Sequence, residues 1–246
     1  QIAEFLTVRS IWDYCTEELD PLHDPIDIIR SAVQVNTTIS NEGLSKEYGL
    51  AIGRNLELNC RKGLMTRDLT TNAMVIASAG ADARMAGAPV SVVANSGSGN
   101  QGITCSVPLI EYAKELHSGK EKLYRALIIS NLVAIHEKTG IGTLSAYCGA
   151  VSAGAGAGAG IVYLCGDGYQ AAIHTVVNAL AIVSGIVCDG AKASCAAKIA
   201  SSVDAALLGY NMYKCNQEFK GGDGIVMKDI CLLYTSPSPR DGATSR

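Results

Sequence analysis

Aromatic side chains are scarce in this chain, at 5% of 246 residues with one Trp and two Phe, while Gly occurs 26 times. A core built without large rings must close with Ala, Gly, Ser, Val, Ile and Leu, which suits helices that approach one another closely. There is no polybasic tract either: 20 basic and 23 acidic residues are dispersed along the chain and leave a formal net charge of −3. That balance argues against a surface built to hold phosphates or anionic lipid, and nucleic acid is not an expected partner. No basic-then-apolar signal segment stands near the start, and the nine cysteines are odd in number on a long chain. A secreted disulfide scaffold is therefore disfavoured, and a reducing, cytoplasmic setting is expected. Pairs of cysteines two to four residues apart, the usual mark of structural zinc, are absent.

Charge is also missing over two long stretches, from Gly140 to Gly166 and, with His174 neutral, from Gly168 to Cys188. Their length invites a membrane reading, and the AGAGAGAG run from Ala153 to Gly160 fits small-residue helix packing in lipid. Composition opposes it. The first stretch is mostly Gly, Ala and Ser, the second carries His174 and Asn178 on one helical face, and no flanking basic bias or aromatic belt is visible. Two buried helices at the centre of a mainly α domain explain the same pattern, with His174 and Asn178 expected to satisfy each other.

With 48% apolar residues the chain can bury a real core. Glu4 to Arg84 reads as helical, with Ile26, Ile29, Ala32 and Val33 on one face and a break expected at Asn41-Glu42-Gly43. A helix from Leu69 to Ala81 is expected, capped by Thr66 or Asp68 and ended by Gly87-Ala88-Pro89. Val90 to Val93 reads as a short strand or an extended entry into the next loop. Two further helices are expected from Ile110 to Lys120, ending at Gly119, and from Leu123 to His136, ending at Gly140. At the ends, Gln1 stands where an initiator Met is usual and Gln1 to Val8 reads as the inside of an apolar element, so a start further upstream is expected. Cys231 to Asp241 reads CLLYTSPSPRD, matching a conceptual translation of a transposon-type sequencing adapter; residues 231–246 are set apart from a domain spanning residues 1–230.

Three groups of residues invite chemistry. The loop from Asn95 to Gly102 sets glycines among Ser96, Ser98, Asn100 and Gln101, so backbone amides and side-chain donors can converge on a carboxylate or phosphate. A helix starting near Gln101 would add its N-terminal dipole; an ordinary Gly/Ser turn has the same composition. The loop lacks the Lys-Ser/Thr ending of a P-loop and the spacing of a dinucleotide fingerprint. Cys148, Cys188 and Cys195 sit in Gly-rich or polar company, and three thiolates can hold an iron–sulfur cluster with one iron left open, although a lone cysteine is more often core. His136, Glu137, Lys138 and Lys192 are each a base, a substrate contact or a solvated polar residue; His136 and Lys192 are the catalytic candidates.

Asp82-Ala83-Arg84-Met85, the Asn95 to Gly102 loop, Leu144 to Gly149, and Cys188-Asp189-Gly190-Ala191 through Cys195 resemble the L-cysteine desulfidase family, which is related to the alpha part of the iron–sulfur L-serine dehydratases. The likeness runs from about Ile11 to Ile230. It implies a mainly α, serine dehydratase alpha-like domain and β-elimination from L-cysteine to sulfide, ammonia and pyruvate, with L-serine dehydration as the alternative. It further implies a [4Fe–4S] cluster on Cys148, Cys188 and Cys195, a carboxylate site at Ser96, Gly97, Ser98, Gly99 and Asn100, and no pyridoxal phosphate. A Schiff-base lysine has no supporting context at Lys62 or Lys192. The Gly-Cys-Thr-Glu-Pro motif of that family is absent, so a further cysteine and the base are expected outside this sequence and low turnover is expected from it. A small amino acid is the expected partner, without membrane; a homo-oligomer is one arrangement left open.

Overall fold

A computed structural model describes residues 6–141, 147–223 and 226. Nine α-helices occur among them: α1 Val8–Asp13, α2 Asp27–Ser45, α3 Ile52–Arg61, α4 Leu69–Met85, α5 Gly99–Glu115, α6 Lys120–Ile141, α7 Gly149–Cys165, α8 Tyr169–Ile182 and α9 Ser194–Lys214. One π-helical turn, Tyr14–Glu18, follows α1. The mainly α expectation holds, and residues 231–246 lie outside the described residues. No helix among the described residues is long and apolar enough to cross a membrane.

The centre is α7, whose Ala and Gly residues from Ala153 to Gly160 are all buried. Glycine is required at its contacts. A Cβ on Gly156 would lie 3.0 Å from Ala134 Cβ of α6 and run into the Ser130 carbonyl, and one on Gly154 would lie 2.7 Å from the Ser202 carbonyl of α9. These close approaches also reveal direction. Gly156 meets Ser130 and Ala134 while Gly160 meets Ala126 and Ser130, so α6 and α7 are antiparallel; Gly154 meets Ser202 while Gly158 meets Ala206, so α7 and α9 are parallel. Gln101 packs on Gly149 and Cys105 reaches toward the Ala153 carbonyl, making α5 parallel to α7 as well. Gly80 meets Ile103 and Arg84 meets Gly99, so α4 runs against α5. One end of the bundle therefore gathers the N-termini of α5, α7 and α9 with the C-terminus of α4 and that of α6. The few aromatics close the other end, where Trp12 packs edge-on to Tyr163 and Tyr169 at 5.8 and 6.4 Å and Arg9 lies over Tyr169 at 4.1 Å.

Several expected boundaries move. Asn41-Glu42-Gly43 does not break α2, because Gly43 is there to let the backbone of Ala79 approach, where any Cβ would collide. Asp68 caps α4 by accepting from the Thr71 amide at 2.8 Å, and the helix runs on to Met85. Residues Val90 to Val93 form no strand. α5 begins eleven residues before Ile110 and carries Pro108 inside it, and its reversal uses His117 at φ 50° where Gly119 was expected. α6 runs through Gly140 to Ile141. His174 and Asn178 do not pair: His174 meets Glu218 at 2.8 Å and stacks on Tyr213, while Asn178 donates to the Gly209 carbonyl and accepts from the Phe219 amide.

If small residues set the helix approach, Gly156→Val lowers stability by about 2–3 kcal/mol or prevents folding through overpacking. Gly185→Ala, where a Cβ meets nothing within 4 Å, stays within about 0.5 kcal/mol of the parent. Urea melts followed by circular dichroism measure both.

Candidate functional site

The loop entering α5 is a tight turn. Asn95 and Ser98 exchange both backbone hydrogen bonds, at 3.1 and 2.9 Å, across Ser96 at φ 48° and Gly97 at φ 76°. Two successive positive φ values are the signature of a type I′ turn, and a serine in that region is strained unless its surroundings hold it. They do: Ser96 Oγ donates to Asn95 Oδ1 at 2.9 Å, and Asn95 Nδ2 donates to the carbonyl and Oδ1 of Asn131 on α6. Ser98 is the N-cap of α5, its Oγ accepting from the Gln101 amide at 3.4 Å. Asn36 fixes the extended entry by bonding Val93 on both sides, while a Cβ on Gly102 would strike the Val93 carbonyl. Beside the turn opens a cavity of about 400 Å³ lined by Ile28, Ile29, Asn95, Ser96 and Asn131.

Behind the turn, Asn100 and Gln101 are buried, and Asn100 Oδ1 and Gln101 Oε1 have no hydrogen-bond partner among the described residues. Buried amide oxygens without partners are uncommon and costly. Gln101 lies against Gly149, its Cδ 2.7 Å from where a Cβ would stand, so it occupies the gap between the N-termini of α5 and α7. Ser152 Oγ, in the first turn of α7, is a third buried group without a partner.

Cys148 is the N-cap of α7 and is buried. Its amide donates to the Ile186 carbonyl at 3.2 Å, and Tyr147 forms an antiparallel bridge with Val187, which draws the segment before α9 alongside. Cys188 is exposed, and half-buried Cys195 stands in the first turn of α9 with its thiol 3.6 Å from the Gly190 carbonyl. Burial pushes the Cys148 thiol up; the Ala150 amide opposes, and Cys188, Lys198 and Cys195 all stand close enough to act on it. The N-termini of α5 and α7 thus meet through Gln101 and Gly149, and the segment ending at Cys188 runs beside Tyr147 and Cys148; residues 144–146 of that motif lie outside the described residues. No three His, Cys, Asp or Glu side chains among the described residues surround a single-ion position.

The catalytic candidates fare differently. His136 faces the Leu6 carbonyl, with burial holding its imidazole below the usual range. Lys192 is exposed at the mouth of the Cys188–Cys195 loop. Three further residues stand at this end: Lys198, which the sequence reading did not mark, Glu137, offered there as a base or substrate contact, and Arg84 of the Asp82–Met85 motif. Lys198 ties the loop to α9 by donating to the Val187 carbonyl at 3.0 Å and to Asp189. Glu137 is 7% exposed and lies one turn beyond Ala134, which itself packs with Cys105 and Ala153. Glu137 therefore shares the row of α6 that carries Ala134. Burial pushes its carboxyl up to about 7. Arg84 lies across Gly99. Spacing could not single out these three, since each depends on helix direction.

The serine dehydratase alpha chain family matches residues 3–232. UPF0597 proteins are similar along most of the chain: one from Desulfitobacterium hafniense is 55% identical over 211 residues, covering 85% of this chain and 47% of the relative. Those of Treponema denticola and Lachnoclostridium phytofermentans are 48% and 49% identical, each covering 92% of this chain and 52% of the relative. The chain spans about half the length of these curated relatives. No solved structure matches.

Glu137 makes stability depend on pH in a defined window. The unfolded carboxyl ionises near its ordinary value of 4.5 while the folded one keeps its proton to about 7, so stability falls as pH rises between the two and is level above. The loss is about 3 kcal/mol at most. Asp82, pushed from 3.8 up to about 6 by burial, adds a fall of the same sign and similar size over a lower window. Glu137→Gln should flatten the dependence in urea melts between about pH 6 and 7.5 and leave that of Asp82 below it. Alkylation followed by mass spectrometry should modify exposed Cys188 well before Cys148, and leave buried Cys15 and Cys105, both pushed up to about 12, unmodified.

Proposed function

The chain belongs to the serine dehydratase alpha-chain family, which is that of iron–sulfur serine dehydratases, and on that premise we propose that it acts in β-elimination from L-cysteine, giving sulfide, ammonia and pyruvate. The observation that carries this reading is the gathering of Cys148, Cys188 and Cys195 beside the donor-rich N-terminus of α5. L-serine dehydration is the second reading, favoured by the family's own description. Sulfide and hydroxide leaving groups make the same demand for a Lewis acid.

A [4Fe–4S] cluster takes thiolate ligands, and Cys148 from the α7 cap, Cys188 from the loop and Cys195 from the first turn of α9 would hold it. When bound, it would supply Lewis acidity toward the leaving group.

The chain's own residues do the rest. The amides of Gly99 and Asn100, which have no acceptor among the described residues, together with the Ser98 hydroxyl, hold the substrate carboxylate. Ser96 and Gly97 act through the shape of the turn, because the Ser96 proton is engaged by Asn95. Gln101 and Asn100 offer amide oxygens to the substrate ammonium. Glu137 is the described group whose burial suits proton exchange near neutrality. No step requires pyridoxal phosphate, and the thiol set fits a reducing, cytoplasmic setting.

Incubated with iron and sulfide without air, the chain should acquire broad visible absorption and bound iron. Cys148→Ser should lose most of both, and pyruvate should form from L-cysteine faster than from L-serine. A preference for L-serine selects the second reading; a colourless, iron-free chain defeats both when the full-length Desulfitobacterium hafniense relative, treated alike, is colourless and iron-free too.

A further inference from the structure

Arg84 ends α4 with its side chain across the first residue of α5. A Cβ on Gly99 would strike Arg84 Nε and lie 2.9 Å from Arg84 Cδ and 2.7 Å from Val92 Cγ1, so glycine at 99 makes room for the guanidinium. Arg84 is half-buried and has no ion pair or side-chain hydrogen bond among the described residues. This is an uncomfortable place for a cation. The N-terminus of a helix carries partial positive charge, and a guanidinium beside it is repelled unless an anion stands between them.

Neighbouring carboxylates do not fill that role. Asp82, two residues before, is buried on the α3 side, where it accepts from the Gly53 amide at 2.9 Å; Asp189 is held by Lys198. The same helix end supplies the buried and unpartnered Gln101 Oε1, set in the gap between α5 and α7. Cationic and acceptor groups at one helix end match the two charged groups of an α-amino acid.

We propose that Arg84 binds the α-carboxylate of the amino-acid substrate at the N-terminus of α5. The inference rests on the loop being the substrate site, as proposed above, and adds the residue that makes it selective for a charged carboxylate. A planar guanidinium can take both carboxylate oxygens, which a lysine ammonium cannot imitate.

Titrating the ¹⁵N-labelled chain with L-alanine and L-alaninamide tests this without turnover, because neither carries a leaving group. The parent should show shifts at the Gly97, Gly99 and Asn100 amides with L-alanine. Arg84→Gln should weaken L-alanine about 10- to 100-fold and leave L-alaninamide unchanged, and Arg84→Lys should fall between. Damage to the fold would weaken both ligands alike, so the contrast isolates the charge; if Arg84→Gln does not fold, Arg84→Lys decides. L-alanine binding within twofold of the parent in the deciding variant overturns the role of Arg84 and leaves the loop site standing. No shift at these amides in the parent overturns the loop site and this inference together.

Discussion

Everything at the functional end depends on how closely α7 can be approached. Backbone and Cβ atoms of α6 and α9 stand where side chains of Gly154 and Gly156 would be, so these helices touch nearly backbone to backbone. Such contacts have little tolerance for sliding, because each glycine admits one neighbour and a shift would bring an alanine into its place. Register is thereby fixed along three helices at once. The N-termini of α5, α7 and α9 finish level because the Gly and Ala positions beneath them interlock.

Three helix N-termini at one end bring partial positive charge, which the C-termini of α4 and α6 there partly offset and to which Arg84 and Lys198 add. The cationic side chains, rather than the helix ends alone, tip the balance toward an anion. Thiols there meet two opposed effects: burial raises Cys148, while the Ala150 amide and Lys198 lower it. Burial outweighs these, and the Cys148 thiol lies above its ordinary range.

Much of the fold was legible because its signals were local. Charge-free Ala/Gly stretches announced α7 and α8, Asp68 announced the start of α4, and the Gly/Ser/Asn loop announced the entry to α5. One boundary was lost where glycine served packing rather than termination: Gly43 read as a stop and lies inside α2, against the backbone of Ala79, whereas the expected end at Gly140 falls one residue short of the last residue of α6. Pro108 lies inside α5, which runs from Gly99 to Glu115 without interruption. In the candidate site, Cys148, Cys188 and the Ser98–Asn100 segment were visible as unusual composition. Lys198 was not, and Glu137 and Arg84 were named without a place, since their positions follow from antiparallel and parallel pairings that a single sequence does not display.

The same pairings explain why Glu137 and His136, adjacent in sequence, differ in chemistry. Successive residues on a helix point about 100° apart. His136 therefore turns to the Leu6 carbonyl, whose hydrogen bond partly offsets its burial, while Glu137 turns to another, more deeply buried face of α6. Among the described residues no cation or amide is found to stabilise its charge, so burial sets the proton affinity of Glu137. Two neighbouring residues of one helix thus move in directions that both disfavour charge, the imidazole downward and the carboxyl upward, because each leaves water on its own side of the helix.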